Sequence, residues 1–219
     1  ATAWENGCTP PRLWRAAASK WNSWSRCFST RKERGPVLEC KSPLGDRYPA
    51  GEYGHTPTAV RLCERALGAA GAVFGAHPVE RGAVGHACVR LAGDAGELVP
   101  VGPGEFLLLA SVSMEAARSA LTECFVSAPN VFDLTHARIV IELEGAQAGD
   151  VMAKGCAVDL EAMVTGEGVS TVMGPFSVTL IRRDRGFDVV LNRTYAREGW
   201  EWLVRAGSEY GVEVGPPGK

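Results

Sequence analysis

Three segments of this chain alternate their side chains with a period of two, which commits a large part of it to antiparallel β-structure. In each segment three apolar residues point to one face: Ile139, Ile141 and Leu143, then Phe176, Val178 and Leu180, then Phe187, Val189 and Leu191. Arg183-Asp184-Arg185-Gly186 separates the second segment from the third and has the composition of a tight hairpin loop. The sequence therefore predicts a β-hairpin and a further strand over 138–144.

Helical segments are interleaved with these strands. Ser113 can cap a helix over 114–124, which follows a buried strand over 105–110. A short helix is predicted over 146–154, and Thr194 can cap a last helix that ends at Gly207. The segment 60–74 is read as strand-like, with helix left open because of its alanines. This order predicts an α+β fold, a mainly antiparallel sheet with helices packed on one face.

Residues 1–40 differ from the rest of the chain. They hold seven Lys and Arg against three Asp and Glu, and Pro10-Pro11 and Gly35-Pro36 interrupt any apolar period. We therefore predict an extension over 1–40 that is disordered or resembles a targeting segment. The domain proper is predicted over 41–210, followed by a tail over 211–219.

Composition excludes several function classes. A formal net charge of -2 offers no basic field for nucleic acid. No apolar run reaches the roughly 20 residues of a membrane helix, so no membrane partner is expected. Seven dispersed cysteines without a C-x-x-C pair argue against a disulfide framework and a zinc ribbon, and predict a cytoplasmic location. No nucleotide-binding or hydrolase motif is found in the sequence.

A few polar clusters could carry chemistry, and each also has a structural interpretation. Asp133 and His136 could pair for proton transfer, or could cap the following strand. Lys154 could activate Cys156, or could complement the negative end of the preceding helix. The remaining histidines and cysteines fall short of a metal site, since His86-Ala87-Cys88 supplies only two ligands and His55 and His77 stand beside turn residues. We therefore predict no catalytic, cofactor-binding or metal-binding residue on this chain.

The last helix carries the candidate interaction surface. Trp200 and Trp202 lie two positions apart and so point to nearly opposite faces of a helix. Trp202 falls on an apolar stripe and is expected in the core. Trp200 is then expected to project outward beside Arg197 and Glu201, as an anchor for another subunit.

Five stretches in a fixed order resemble the γ subunit of bacterial heterotetrameric sarcosine oxidases. They are Ser42-Pro43-Leu44, the segment 102–109, Phe132-Asp133-Leu134-Thr135-His136, Ala153 to Cys156 with Asp159-Leu160, and Thr194-Tyr195 through Trp200-Glu201-Trp202-Leu203. The resemblance covers roughly residues 41–206. It implies the first part of the folate-binding fold of the glycine-cleavage aminomethyltransferase, and the stretch 132–136 looks like the F-D-x-S-H of that wider fold.

The resemblance implies an accessory subunit with no active site of its own. The complex would oxidatively demethylate sarcosine or a related N-methyl amine. Its partners would be the α, β and δ subunits. FAD, FMN, NAD and tetrahydrofolate would be bound by partner subunits, the flavins and NAD by the larger α and β chains, and this chain would carry no cofactor. Two alternatives of the same fold remain open: a folate-binding aminomethyltransferase-like protein, and a protein of tRNA modification and iron–sulfur maintenance, whose K-G-C-Y-x-G-Q motif Lys154-Gly155-Cys156 begins but does not complete.

Overall fold

A computed structural model describes residues 42–44, 48–54, 57–75, 89–122, 124–125 and 127–216. The chain from Ser42 onward forms one compact unit. The predicted extension over 1–40 lies outside the described residues, and so do His55, His77, His86 and Cys88.

The larger of two sheets has seven strands, and it contains the predicted hairpin beside its central strand. Its strands are β1 (Gly51–Tyr53), β2 (Val60–Arg65), β8 (Arg138–Glu144), β9 (Gly168–Met173), β10 (Phe176–Arg183), β11 (Gly186–Asn192) and β12 (Val212–Val214). Their spatial order is β1-β12-β2-β8-β11-β10-β9. The predicted hairpin is confirmed, with Arg183 paired to Gly186 across a two-residue loop.

The second sheet has five strands and contains the predicted strand over 105–110. Its members are β3 (Ala69–Phe74), β4 (Val89–Arg90), β5 (Gly96–Gly102), β6 (Glu105–Ala110) and β7 (Asn130–Asp133). Their order is β4-β5-β6-β3-β7, and all the pairs are antiparallel. The segment 60–74 is thus two strands, β2 and β3, one in each sheet.

The two sheets pack face to face, which the alternation in β8 explains. Val140 is fully buried between the sheets, in a cluster with Val190 and Ile181 of the large sheet and with Ala70, Val99, Leu107 and Leu109 of the small one. Ile139, Ile141 and Leu143 point to the opposite face of β8, toward the helices. Each sheet therefore has an inner face, toward the other sheet, and an outer face.

The helices cover the outer faces. Helix α1 (Met114–Leu121) begins at Ser113, whose hydroxyl accepts a hydrogen bond from the Ala116 N–H at 3.4 Å, and it packs on the small sheet through Ala117 and Leu121. Helices α2 (Ala148–Ala153) and α3 (Ala196–Gly207) pack on the large sheet. The mainly antiparallel α+β class is confirmed. The sequence predicted helices on one face of one sheet, whereas the chain builds two sheets whose inner faces cover each other.

The segment predicted as a tail contributes a strand. Strand β12 pairs with β2 in parallel and with β1 in antiparallel orientation. Val212 and Val214 are buried against the outer-face core, while Glu213 between them is exposed. The prediction of a tail was therefore wrong for 212–214. Two alternating valines form a short strand here because the edge of the sheet supplies hydrogen-bonding partners for their backbone.

Candidate functional site

Trp200, the predicted interface anchor, lies in the core. Its side chain is 2% exposed, and Tyr48 stacks beside it with ring centroids 5.7 Å apart. The buried stripe of α3 consists of Ala196, Gly199, Trp200, Leu203 and Gly207. The prediction from sequence included Gly199 and Leu203 in the buried stripe, but it counted Tyr195 and Trp202 as core positions in place of Ala196 and Trp200. It also took Gly207 only as the residue that ends the helix. Gly199 contacts Leu191 and Gly207 contacts Val212, so both glycines face the sheet.

Trp202 is half-buried at the flank of α3. A Cβ placed on Gly174 would lie 2.8 Å from its indole nitrogen, and Gly155 approaches the same ring even more closely. Gly174 also has a φ of +56°, in the left-handed region. The ring therefore rests on two glycines from the loops after α2 and β9, which are joined by the hydrogen bond from the Gly174 N–H to the Gly155 carbonyl at 3.0 Å.

Arg197 and Glu201 lie on the solvent side of α3 and form an ion pair at 3.0 Å, one helical turn apart. The Tyr48 hydroxyl donates to the same Glu201 carboxylate at 2.9 Å. The hydrogen bonds from Arg197 and then Tyr48 lower the pKa of Glu201. The two charged residues of the predicted anchor thus hold Tyr48 over Trp200 and help to cover it.

The Asp133 carboxylate caps the turn that follows β7. It accepts hydrogen bonds from the Thr135 hydroxyl at 2.6 Å and from the Thr135 N–H at 2.9 Å, and these bonds lower the pKa of Asp133. The Thr135 hydroxyl in turn accepts from the Ala70 N–H at 3.2 Å. The stretch 132–136 therefore fastens β7 to the start of β3. Asp133 acts as a cap, but it caps this turn, whereas the alternative predicted from sequence was a cap on the strand that follows.

Lys154 and Cys156 have separate structural roles. The Lys154 ammonium donates to the Ala206 carbonyl, pairs with Glu209, and lies 4.7 Å from the centre of the Tyr210 ring. The Cys156 thiol contacts the Val172 carbonyl oxygen at 3.0 Å, and burial raises its pKa. A raised pKa keeps this cysteine as a thiol, which is a poor nucleophile.

Four charged side chains meet between the sheets, and no sequence pattern predicted that they would interact. Arg183 of β10 and Arg65 of β2 each bind both Asp188 of β11 and Glu97 of β5. The Arg65 guanidinium lies 2.9 Å from Asp188 and 3.2 Å from Glu97. Arg183 and Asp188 are only five positions apart, on the two strands of the hairpin, but Arg65 and Glu97 are distant in the chain. Only the packing of one sheet on the other brings all four residues together.

The network balances two cations against two carboxylates. Burial alone would raise the pKa of Glu97, but hydrogen bonds and charge from Arg183, with Arg65 beside it, outweigh burial and lower it. Glu142 lies next to the network with its pKa raised, first by burial and then by the charge of Asp188.

A cleft of about 360 Å³ opens at the network, lined by Arg65, Glu142, Arg183 and Asp188 among others. The arrangement is that of an electrostatic clamp, since each carboxylate is already held by arginine.

Two aromatic pairs are exposed on the described surface. Phe132 is 59% exposed and packs edge to face on Phe74, with ring centroids 5.7 Å apart. Tyr195 is 50% exposed and lies 5.8 Å from Phe176. Among the described residues no group of three His, Cys, Asp or Glu side chains is arranged to hold a metal ion.

Comparisons with known proteins agree with the predicted family. No protein-family model matches this chain. The sarcosine oxidase subunit γ of Corynebacterium sp. (strain P-1) is 28% identical over 116 residues, which is 52% of this chain and 57% of the relative. The alignment therefore spans little more than half the length of this curated relative.

A solved structure extends the likeness over more of the chain. A chain of the heterotetrameric sarcosine oxidase from Corynebacterium sp. U-96, in complex with pyrrole 2-carboxylate, matches with a TM-score of 0.60 at 26% identity. The match covers 78% of this chain and 96% of that chain. The predicted resemblance to sarcosine oxidase γ subunits is confirmed by sequence and by fold.

Proposed function

We propose that this chain is a γ-type accessory subunit of a heterotetrameric sarcosine oxidase complex. The observation that carries the proposal is the structural match, which covers 96% of a chain from such a complex. The curated γ subunit supports the same assignment. Both comparisons favour it over the aminomethyltransferase-like and tRNA-modification alternatives, because both name sarcosine oxidase.

In this proposal the redox chemistry belongs to the partners. Partner subunits would bind FAD, FMN, NAD and tetrahydrofolate, with the flavins and NAD on the α and β subunits. The complex of α, β and δ subunits with this chain would oxidatively demethylate sarcosine or a related N-methyl amine. This chain would contribute a folded body that the larger subunits hold. Its own ionisable groups support such a role, since those of the clamp neutralise one another and the Cys156 thiol has a raised pKa.

The complex is expected in the cytoplasm. The composition predicts a reducing compartment, and in the described part of the chain no helix is long and apolar enough to cross a membrane.

Co-purification tests the proposal. The full chain with an affinity tag, co-expressed with candidate α, β and δ subunits, should retain all three and yield a complex that absorbs as a flavoprotein and releases formaldehyde from sarcosine. The chain expressed alone should be colourless and inactive. Stoichiometric flavin on the isolated chain, or failure to retain flavin-bearing partners, would contradict the proposal.

A further inference from the structure

The Phe74–Phe132 pair lies on the inner face of the small sheet. Ala70 is buried between the two sheets, and Ala72 and Phe74 follow it on the same face of β3 because strand side chains alternate. Phe132 is the register partner of Ala72, so it shares that face. The large sheet covers Ala70 but leaves Phe132 59% exposed and Phe74 37% exposed.

The inner face of the large sheet is also left open in part. A groove of about 630 Å³ is lined by residues of this face, including Arg138, Ser170, Val172, Ser177, Thr179 and Asn192. Val172 is the register partner of Ser177, and Asn192 is the partner of Arg138, so the floor is a row of small, mainly polar side chains that ends at a cation.

Arg138 is the one charged residue among the described residues that line this groove. The ion pairs found in the described part of the chain involve other arginines, at positions 61, 65, 90, 183 and 197. The groove therefore presents an unpaired positive charge on an otherwise neutral floor.

One turn connects the aromatic pair to the arginine. Strand β7, which carries Phe132, ends at Asp133, and β8 begins at Arg138 after the turn 134–137. The hydrogen bonds of Thr135 with Asp133 and Ala70 hold this turn against β3. Phe132 and Arg138 are therefore attached to a fixed backbone, so binding of a partner would cost little conformational entropy of this turn.

We propose that Phe74, Phe132 and Arg138 form the surface that docks a partner subunit of the complex. The inference rests on the proposed function. The occupant we assign is a segment of a larger subunit that places an apolar side chain on the Phe74–Phe132 pair and a carboxylate against Arg138. Charge complementarity specifies the carboxylate, and aromatic and arginine side chains are the types that dominate interface energies.

The segment docks through its side chains and does not extend the sheet at this edge. β7 is an edge strand, but Nη2 of Arg118 donates to the Val131 carbonyl at 2.8 Å and so takes up one of its acceptors. Edge strands protected in this way resist pairing with another strand.

The test measures binding of the full chain to the partner subunits purified without it, by biolayer interferometry. Phe132→Ala and Arg138→Glu should each weaken binding about tenfold or more. Val164→Ala removes an apolar side chain that is also 59% exposed, and Arg185→Glu reverses a charge in the β10–β11 loop. Both controls should bind within about twofold of wild type.

Each outcome decides the inference. Thermal melting should place both test variants within a few degrees of wild type, because Phe132 is largely exposed. If one variant folds poorly, the other still tests the surface at a separate residue. Unchanged binding by both test variants, with wild type bound, would overturn this inference alone. A wild-type chain that does not bind would overturn it together with the proposed function. A concentration-dependent dimer of the isolated chain that Phe132→Ala abolishes would assign the surface to a second copy and overturn it too.

Discussion

At the scale of single residues, Trp200 is the largest of the buried side chains of α3. It is among the largest fully buried side chains of the described residues. We predict that Trp200→Ala lowers the free energy of unfolding by about 3–5 kcal/mol, because it removes a buried aromatic side chain and leaves a cavity. Urea denaturation measures the loss.

Trp202→Ala is the matched control on the same helix. Its ring is only half-buried, so its removal should cost less than removal of Trp200. An equal or smaller loss for Trp200→Ala would show that this tryptophan does not pack in the core.

Glu142 is a residue whose ionisation opposes folding. Its pKa is raised in the folded protein by burial and by Asp188, so stability falls as pH rises through the folded pKa. We predict that Glu142→Gln stabilises the protein at pH 7, by less than about 1 kcal/mol because the carboxylate is partly screened by solvent. The gain should vanish below the unfolded pKa of about 4.3, where the carboxyl is neutral in both states.

Denaturant titrations at pH 7 and pH 4 measure this effect. Glu144→Gln is the control, since Glu144 forms only an exposed ion pair with Arg61 at 3.9 Å. A Glu142→Gln gain that is larger at pH 4 than at pH 7 would refute the predicted direction of the pH dependence.

At the scale of elements, two glycines near α2 have opposite roles. Gly149 lies inside α2, and a Cβ there would meet nothing within 4 Å. Gly149→Ala should therefore stabilise the protein by about 0.5–1 kcal/mol through helix propensity. Gly174→Ala should destabilise it by about 1–3 kcal/mol, since φ is +56° and the Cβ would lie 2.8 Å from Trp202.

Thermal unfolding of the two variants side by side provides the measurement. Each variant controls for the other, because both add one methyl group. Shifts of the same sign would contradict the close approach of Trp202 to Gly174.

At the scale of the whole molecule, the clamp of Arg65, Glu97, Arg183 and Asp188 ties the two sheets together. Arg183 is held by both carboxylates, and its removal would leave Glu97 and Asp188 sharing Arg65 alone. We predict that Arg183→Ala costs about 2–3 kcal/mol, somewhat less than the loss from a fully buried pair because the side chain is 27% exposed.

The exposed pair Arg90–Asp94, with side chains 84% and 87% exposed, supplies the control. Arg90→Ala should change the free energy of unfolding by less than about 1 kcal/mol. If both arginine variants lost equally little stability in urea titrations, the clamp would have no role in holding the sheets together.

Features that depend on near neighbours in the chain could be predicted from the sequence alone. The alternation of Ile139, Ile141 and Leu143, the hairpin before Gly186 and the cap at Ser113 each follow from residues a few positions apart, and the structure has all three. The family resemblance also came from short stretches in a fixed order. Local propensity and order along the chain are properties that a sequence records directly.

Tertiary packing, by contrast, selected which side of each element is buried. The side of α3 that faces the sheet is the side that carries Gly199 and Gly207, which lie against Leu191 and Val212. Trp200 lies on the same side of the helix and is therefore buried. The Glu97–Arg183 clamp and the open inner faces exist because two sheets overlap incompletely, which brings together residues from distant strands. The energies that select these contacts arise between elements, so no pattern within one element records them.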